Sequence, residues 1–138
     1  MYKLKIFILL FFFQISDLVA LEIKIISRIE KIIITNIDIK NEYRYLIATN
    51  KNIEDLKKEQ ILQIAKNSLI NDSIKENEIL KNFSDLEINQ EYLESVIKMT
   101  FNRLGFDNLQ DFKNYLEEYK TNYEYIKKKI KVETLWNQ

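Results

Sequence analysis

The chain has no cysteine, no histidine and no proline, and its single glycine is Gly105. Without cysteine there are no disulfides, no thiolate metal sites and no cysteine nucleophile. Without histidine, the commonest general base and the commonest metal ligand are missing. One glycine cannot build a phosphate-cradling loop. Most enzyme chemistries are therefore disfavoured, and no cofactor or metal is expected. A net charge is missing too: 21 basic residues face 21 acidic ones. That balance leaves no global electrostatic footprint for nucleic acid.

What is present is a chain of 138 residues, 30% of them charged. The length is that of one ordinary domain with a core of its own, and the charge favours solvated helix faces. The first twenty residues read as an address. Lys3 and Lys5 precede an unbroken apolar run from Ile6 to Phe13, and the segment ends Leu18-Val19-Ala20. A basic start, a short apolar stretch and a small final residue form the signal-peptide pattern. A bilayer span needs about 20 apolar residues, and this run is much shorter. Residues 1–20 are thus expected to be a signal peptide cleaved after Ala20, with an uncleaved N-terminal anchor as the alternative. Residues 21–138 are expected to form one domain.

Ile23, Ile25, Ser27 and Ile29 alternate with Lys24, Ile26 and Arg28, a period-two pattern that predicts a strand. Ile32 to Ile34 predicts a second, making a small hairpin. Glu30-Lys31 is a poor pair for its turn, since neither residue favours positive φ. Thr35 with Asp38 then predicts a helix cap, with Ile34 and Ile39 as a hydrophobic staple. This helix should reach about Asn50 and bury Ile39, Tyr43, Leu46 and Ile47. A long helix is expected from near Glu54, with Ile61, Leu62, Ala65 and Leu69 in one stripe that Ile70 and Ile74 extend. Asn82 to Glu87 reads as a connection. Asn89 caps the next helix, whose stripe is Tyr92, Leu93, Val96, Ile97, Thr100, Phe101 and Leu104. Gly105 follows where a helix end favours positive φ. Asn108 with Asp111 caps a shorter helix bearing Leu109, Phe112 and Leu116. Thr121 with Glu124 predicts a capping box for a last helix carrying Tyr125, Ile126, Ile130 and Trp136. The fold class is mainly α: a short hairpin, then about five helices.

This order resembles the N-terminal domain family of SurA, the periplasmic chaperones of outer-membrane proteins in Gram-negative bacteria. The likeness is carried by Ile29-Glu30-Lys31-Ile32-Ile33-Ile34-Thr35-Asn36-Ile37-Asp38, which matches the family's strand–turn–strand run into a capped helix. Leu56 to Ile74 resembles its long helix, and Ile88-Asn89-Gln90-Glu91-Tyr92-Leu93 its next helix entry. Gly105-Phe106 and Asn108-Leu109-Gln110-Asp111-Phe112 resemble its link, and Tyr123 to Val132 its lysine-rich final helix. Family hairpins favour Asn or Gly at the turn, where Glu30-Lys31 stands here. Larger members continue into parvulin-type prolyl isomerase domains and then return a C-terminal segment to this domain. This chain carries neither the parvulin histidines nor its glycine-rich loops.

The resemblance implies a non-catalytic, exported chaperone-type domain located in the periplasm. Its expected partners are unfolded or extended polypeptides, outer-membrane proteins above all, with no nucleic acid and no integral membrane segment after cleavage. Self-association is a further expectation for an incompletely covered apolar face. Aromatics crowd the C-terminal half, as helix core or as a groove for clients. The candidate groove is assigned to Met99, Phe106, Phe112, Tyr119 and Trp136. Lys127, Lys128, Lys129 and Lys131 read as a solvated helix face, and Glu117-Glu118 and Glu91/Glu94 as ordinary surface carboxylates. Two other readings stay open: the front of a longer parvulin isomerase, and an adaptor that docks one folded partner.

Overall fold

The computed structural model describes residues 22–53, 55–83 and 87–138. The proposed signal peptide lies outside these residues. Two antiparallel strands, β1 (Ile25–Ile29) and β2 (Ile32–Thr35), open the described chain. Five helices follow: α1 (Asn36–Thr49), α2 (Lys58–Asn82), α3 (Gln90–Arg103), α4 (Leu109–Glu118) and α5 (Tyr123–Trp136). The mainly helical class, with a hairpin ahead of the helices, is as the sequence pattern predicts.

The hairpin pairs Ile29 with Ile32, Arg28 with Ile33 and Ser27 with Ile34, then slips so that Ile25 faces Thr35. Glu30 takes the left-handed φ of +49 that the two-residue turn demands. Glycine is replaced here by tethering. Lys81 at the end of α2 donates to Glu30 Oε1 at 3.3 Å, and Asn77 with Lys81 holds the Glu30 carboxyl below its ordinary range. The Thr35 cap forms as expected. Asp38 N–H donates to Thr35 Oγ1, and Thr35 N–H donates back to Asp38 Oδ2 at 2.7 Å.

Four local expectations are corrected. In α1 the buried residues are Glu42 and Ala48, while Ile39, Tyr43, Leu46 and Ile47 are only half-buried. An apolar-stripe reading sends glutamate to solvent and so rotates the helix. The long helix starts at Lys58 rather than near 54, because a 3-10 turn over Lys51–Ile53 first buries Ile53 and reverses the chain. Along α2 Ile74 is exposed and Ser73 turns inward beside Ile61, Ala65 and Ile79. The last helix is capped by Asn122, which accepts from Tyr125 N–H at 2.8 Å, and not by Thr121. Thr121 is already committed to closing α4: its N–H donates to Leu116 O at 3.1 Å, while Lys120 N–H donates to Glu117 O at 2.9 Å. Those are the paired bonds of a Schellman ending.

The same ending closes α3 with the expected glycine. Gly105 at φ +95 donates to Asn102 O, and Phe106 N–H donates to Phe101 O. One core unites Ala48, Leu93, Ile97, Phe101, Phe112, Leu116 and Ile126 from α1, α3, α4 and α5. α2 lies across α1 and α5 and carries the hairpin.

Candidate polypeptide-binding surface

The helices are locked by a charge that the apolar pattern does not predict inside. Glu42 is 0% exposed. Its Oε1 accepts from Lys129 Nζ and from Ser68 Oγ, both at 2.6 Å, and its Oε2 accepts from Tyr125 Oη at 2.7 Å. Lys129 also pairs with Asp72. α1, α2 and α5 are thereby joined at one point. Burial alone would lower the Lys129 ammonium, but Glu42 and Asp72 outweigh it and hold it above its ordinary value. Burial, reinforced by Glu42, raises the Tyr125 phenol strongly. Lys129 also stands 4.8 Å from the ring centroid of Tyr45, whose edge meets Tyr125.

This ammonium and the Tyr45 ring form part of the wall of an open furrow. α3 contributes Tyr92, Val96, Thr100 and Arg103, spaced by three and four residues along one line of the helix. α5 faces them with Ile130, Glu133 and Thr134. The furrow encloses about 340 Å³. It continues into a second compartment of about 550 Å³ beside the end of α1, which shares Tyr45, Thr100 and Arg103. On the other side of α5 a smaller cleft of about 250 Å³ runs beside β2. The Lys128–Glu76 and Lys129–Asp72 pairs are part of its lining, beside Ile32, Leu69 and Val132.

The five groove residues assigned from sequence do not share one surface. Phe112 is 0% exposed and lies at the centre of the core. This corrects its assignment to a groove wall. Phe106 packs on Phe112 and Tyr115 with ring centroids 5.7 and 4.8 Å apart, and Tyr115 packs on Tyr119 at 4.9 Å. Phe106 and Tyr119 are thus half-buried members of an internal aromatic ladder. Met99 and Trp136 are open, at 70% and 47% exposure. Met99 lies seven residues after Tyr92, so it stands on nearly the same line of α3, but it does not line the furrow.

Apolar spacing alone reads the α3 stripe as one face and so does not separate the furrow residues from the core. The stripe's seven positions are too wide for a single contact. Leu93, Ile97 and Phe101 fill the core, whereas Tyr92, Val96 and Thr100 form the neighbouring edge. That excess width was the available signal. Among the described residues no helix is long and apolar enough to cross a membrane. Comparison with protein-family models, with characterised proteins and with solved structures finds no match to this chain.

Proposed function

We propose that this chain is an exported chaperone-type domain that binds extended segments of unfolded protein in the furrow and performs no catalysis. Outer-membrane polypeptides in the periplasm of a Gram-negative bacterium are the expected clients. The observation that carries this reading is the open line of Tyr45, Tyr92, Val96 and Ile130 between α1, α3 and α5. Aromatic walls give large contact area with few rotors, which suits clients of varied sequence. Water contact with apolar surface is unfavourable by roughly 25 cal/mol per Å², so a client that covers these rings is favoured. The sequence resemblance to periplasmic chaperone domains supports the same reading.

The test is anisotropy of labelled, unfolded peptides with and without aromatic residues, titrated with the protein and with a Tyr92→Ala/Val96→Asp variant. Aromatic-containing peptides of unrelated sequence should bind the protein in preference, and the variant should lose about ten-fold in affinity. Binding of one folded partner only, or unchanged binding by the variant, would overturn the proposal.

A further inference from the structure

At its α1 end the furrow carries two cations and no carboxylate. Arg103 is the last residue of α3, and Lys51 opens the turn after α1; both line the compartment together with the amides of Asn50 and Asn52. Among the described residues neither cation has a hydrogen-bonding or ionic partner, so both are free to meet an anion. Two helix C-termini meet here, and each brings about half a negative charge. Two full positive charges exceed that sum. The carbonyls at both ends are also partly satisfied, by Asn50 N–H on Leu46 O and by the bonds of Gly105 and Phe106. The compartment is therefore net positive, with the Arg103 guanidinium, the Lys51 ammonium and the Asn50 and Asn52 carboxamides as its donors. Arginine is the side chain best shaped to grip a carboxylate with two parallel hydrogen bonds.

We infer that this compartment holds the C-terminal carboxylate of the polypeptide lying in the furrow. The inference rests on the polypeptide-binding reading above and adds a direction and an end to it. Both cations stand at one end of the furrow, where α3 stops at Gly105. The body of the furrow holds no unpaired charge to draw an acidic side chain in mid-segment: Glu133 is paired with Lys75, and Lys129 with Glu42 and Asp72. From Tyr92 to Arg103 the furrow follows α3 for roughly 16 Å, the length of about five residues of extended chain. A client terminus would thus place its last residue beside Arg103 and Lys51 and earlier side chains against Tyr45, Val96 and Tyr92.

The experiment compares three forms of one peptide of about seven residues carrying alternating aromatics: free acid, C-terminal amide, and amide with aspartate as the last residue. Each is titrated by anisotropy against the full chain and against a Lys51→Gln/Arg103→Gln variant, whose folding is checked by its thermal melt. Both side chains are exposed, so the variant should fold. The free acid should bind about ten-fold more tightly than the amide, and the difference should vanish in the variant. Equal affinity of acid and amide, or a difference that survives in the variant, overturns the carboxylate site and leaves the polypeptide-binding reading standing. Full recovery by the aspartate amide overturns the assignment to a chain terminus. Failure of all three to bind overturns both readings.

Discussion

Lys129 donates to Glu42 Oε1 at 2.6 Å across 87 residues of chain, inside a body where Glu42 has no contact with solvent. Removing one partner leaves a charge without compensation in a poorly solvated site. Lys129→Met should therefore destabilise the fold by about 3–5 kcal/mol. Glu42→Leu/Lys129→Met should cost less than the two single changes together, by about 1 kcal/mol or more. Urea melts of the four proteins provide the cycle. Additive costs would show that the pair contributes no coupling.

Alkali should unlock the same point. Tyr125 and Lys129 both hold their protons more tightly in the folded protein than at their ordinary values of 10.0 and 10.5. The stability they provide is present below those values and is lost as pH rises through and beyond them. The melting temperature should stay level to about pH 9.5 and then fall. Titration followed by near-ultraviolet phenolate absorbance should show a late class of tyrosines that includes Tyr125. Tyr125→Phe should remove one member of it. A single normal titration of all tyrosines would contradict the buried arrangement.

The reciprocal cap at Thr35 satisfies a backbone N–H at the start of α1 and anchors the hairpin to it. Thr35→Ala should cost about 1 kcal/mol, whereas Thr35→Ser should retain most of the stability. Equal melts for wild type and the alanine variant would mean that the hairpin, not the cap, sets the helix start.

Two left-handed residues close α3 and α4 with the same bonds but different side chains. Gly105 sits at φ +95 with nothing within 4 Å of where a Cβ would stand, and Lys120 sits at φ +55. A side chain at such a φ costs about 1 kcal/mol. Gly105→Ala should destabilise by that amount through backbone conformation alone, and Lys120→Gly should gain a similar amount. Changes of the opposite sign in the melts would show that other contacts of the lysine outweigh its backbone cost.

Export is tested on the protein itself. The Lys3/Lys5 start and the apolar run to Phe13 motivate cleavage after Ala20. Mass spectrometry of protein recovered from the periplasm of a Gram-negative host should find Leu21 as the new N-terminus. Intact Met1 protein confined to the cytoplasm would reject the address.

Local chemistry was legible wherever the chain interacts with itself over three or four residues. Thr35 with Asp38, Asn89 with the Tyr92 amide, Asn108 with Asp111 and Gly105 after Leu104 all act within one helical turn, and each stands where its residue type predicts. The hairpin and the five-helix order follow from such signals together with apolar spacing. The Thr121 cap failed by one residue because one side of the link was already bonded to α4, a competition visible only when both helices are built.

Which side of each helix is covered was decided by the tertiary structure, because coverage depends on neighbours distant in sequence. Glu42 turns inward because Lys129, Ser68 and Tyr125 arrive from two other helices to satisfy it. Phe112 disappears into the core while Met99 remains outside, although both are large apolar residues on amphipathic helices. Spacing along the chain sets which side chains share a face. Only the packing of α1, α3 and α5 decides that Leu93, Ile97 and Phe101 fill the interior while Tyr92, Val96 and Thr100 border an open furrow.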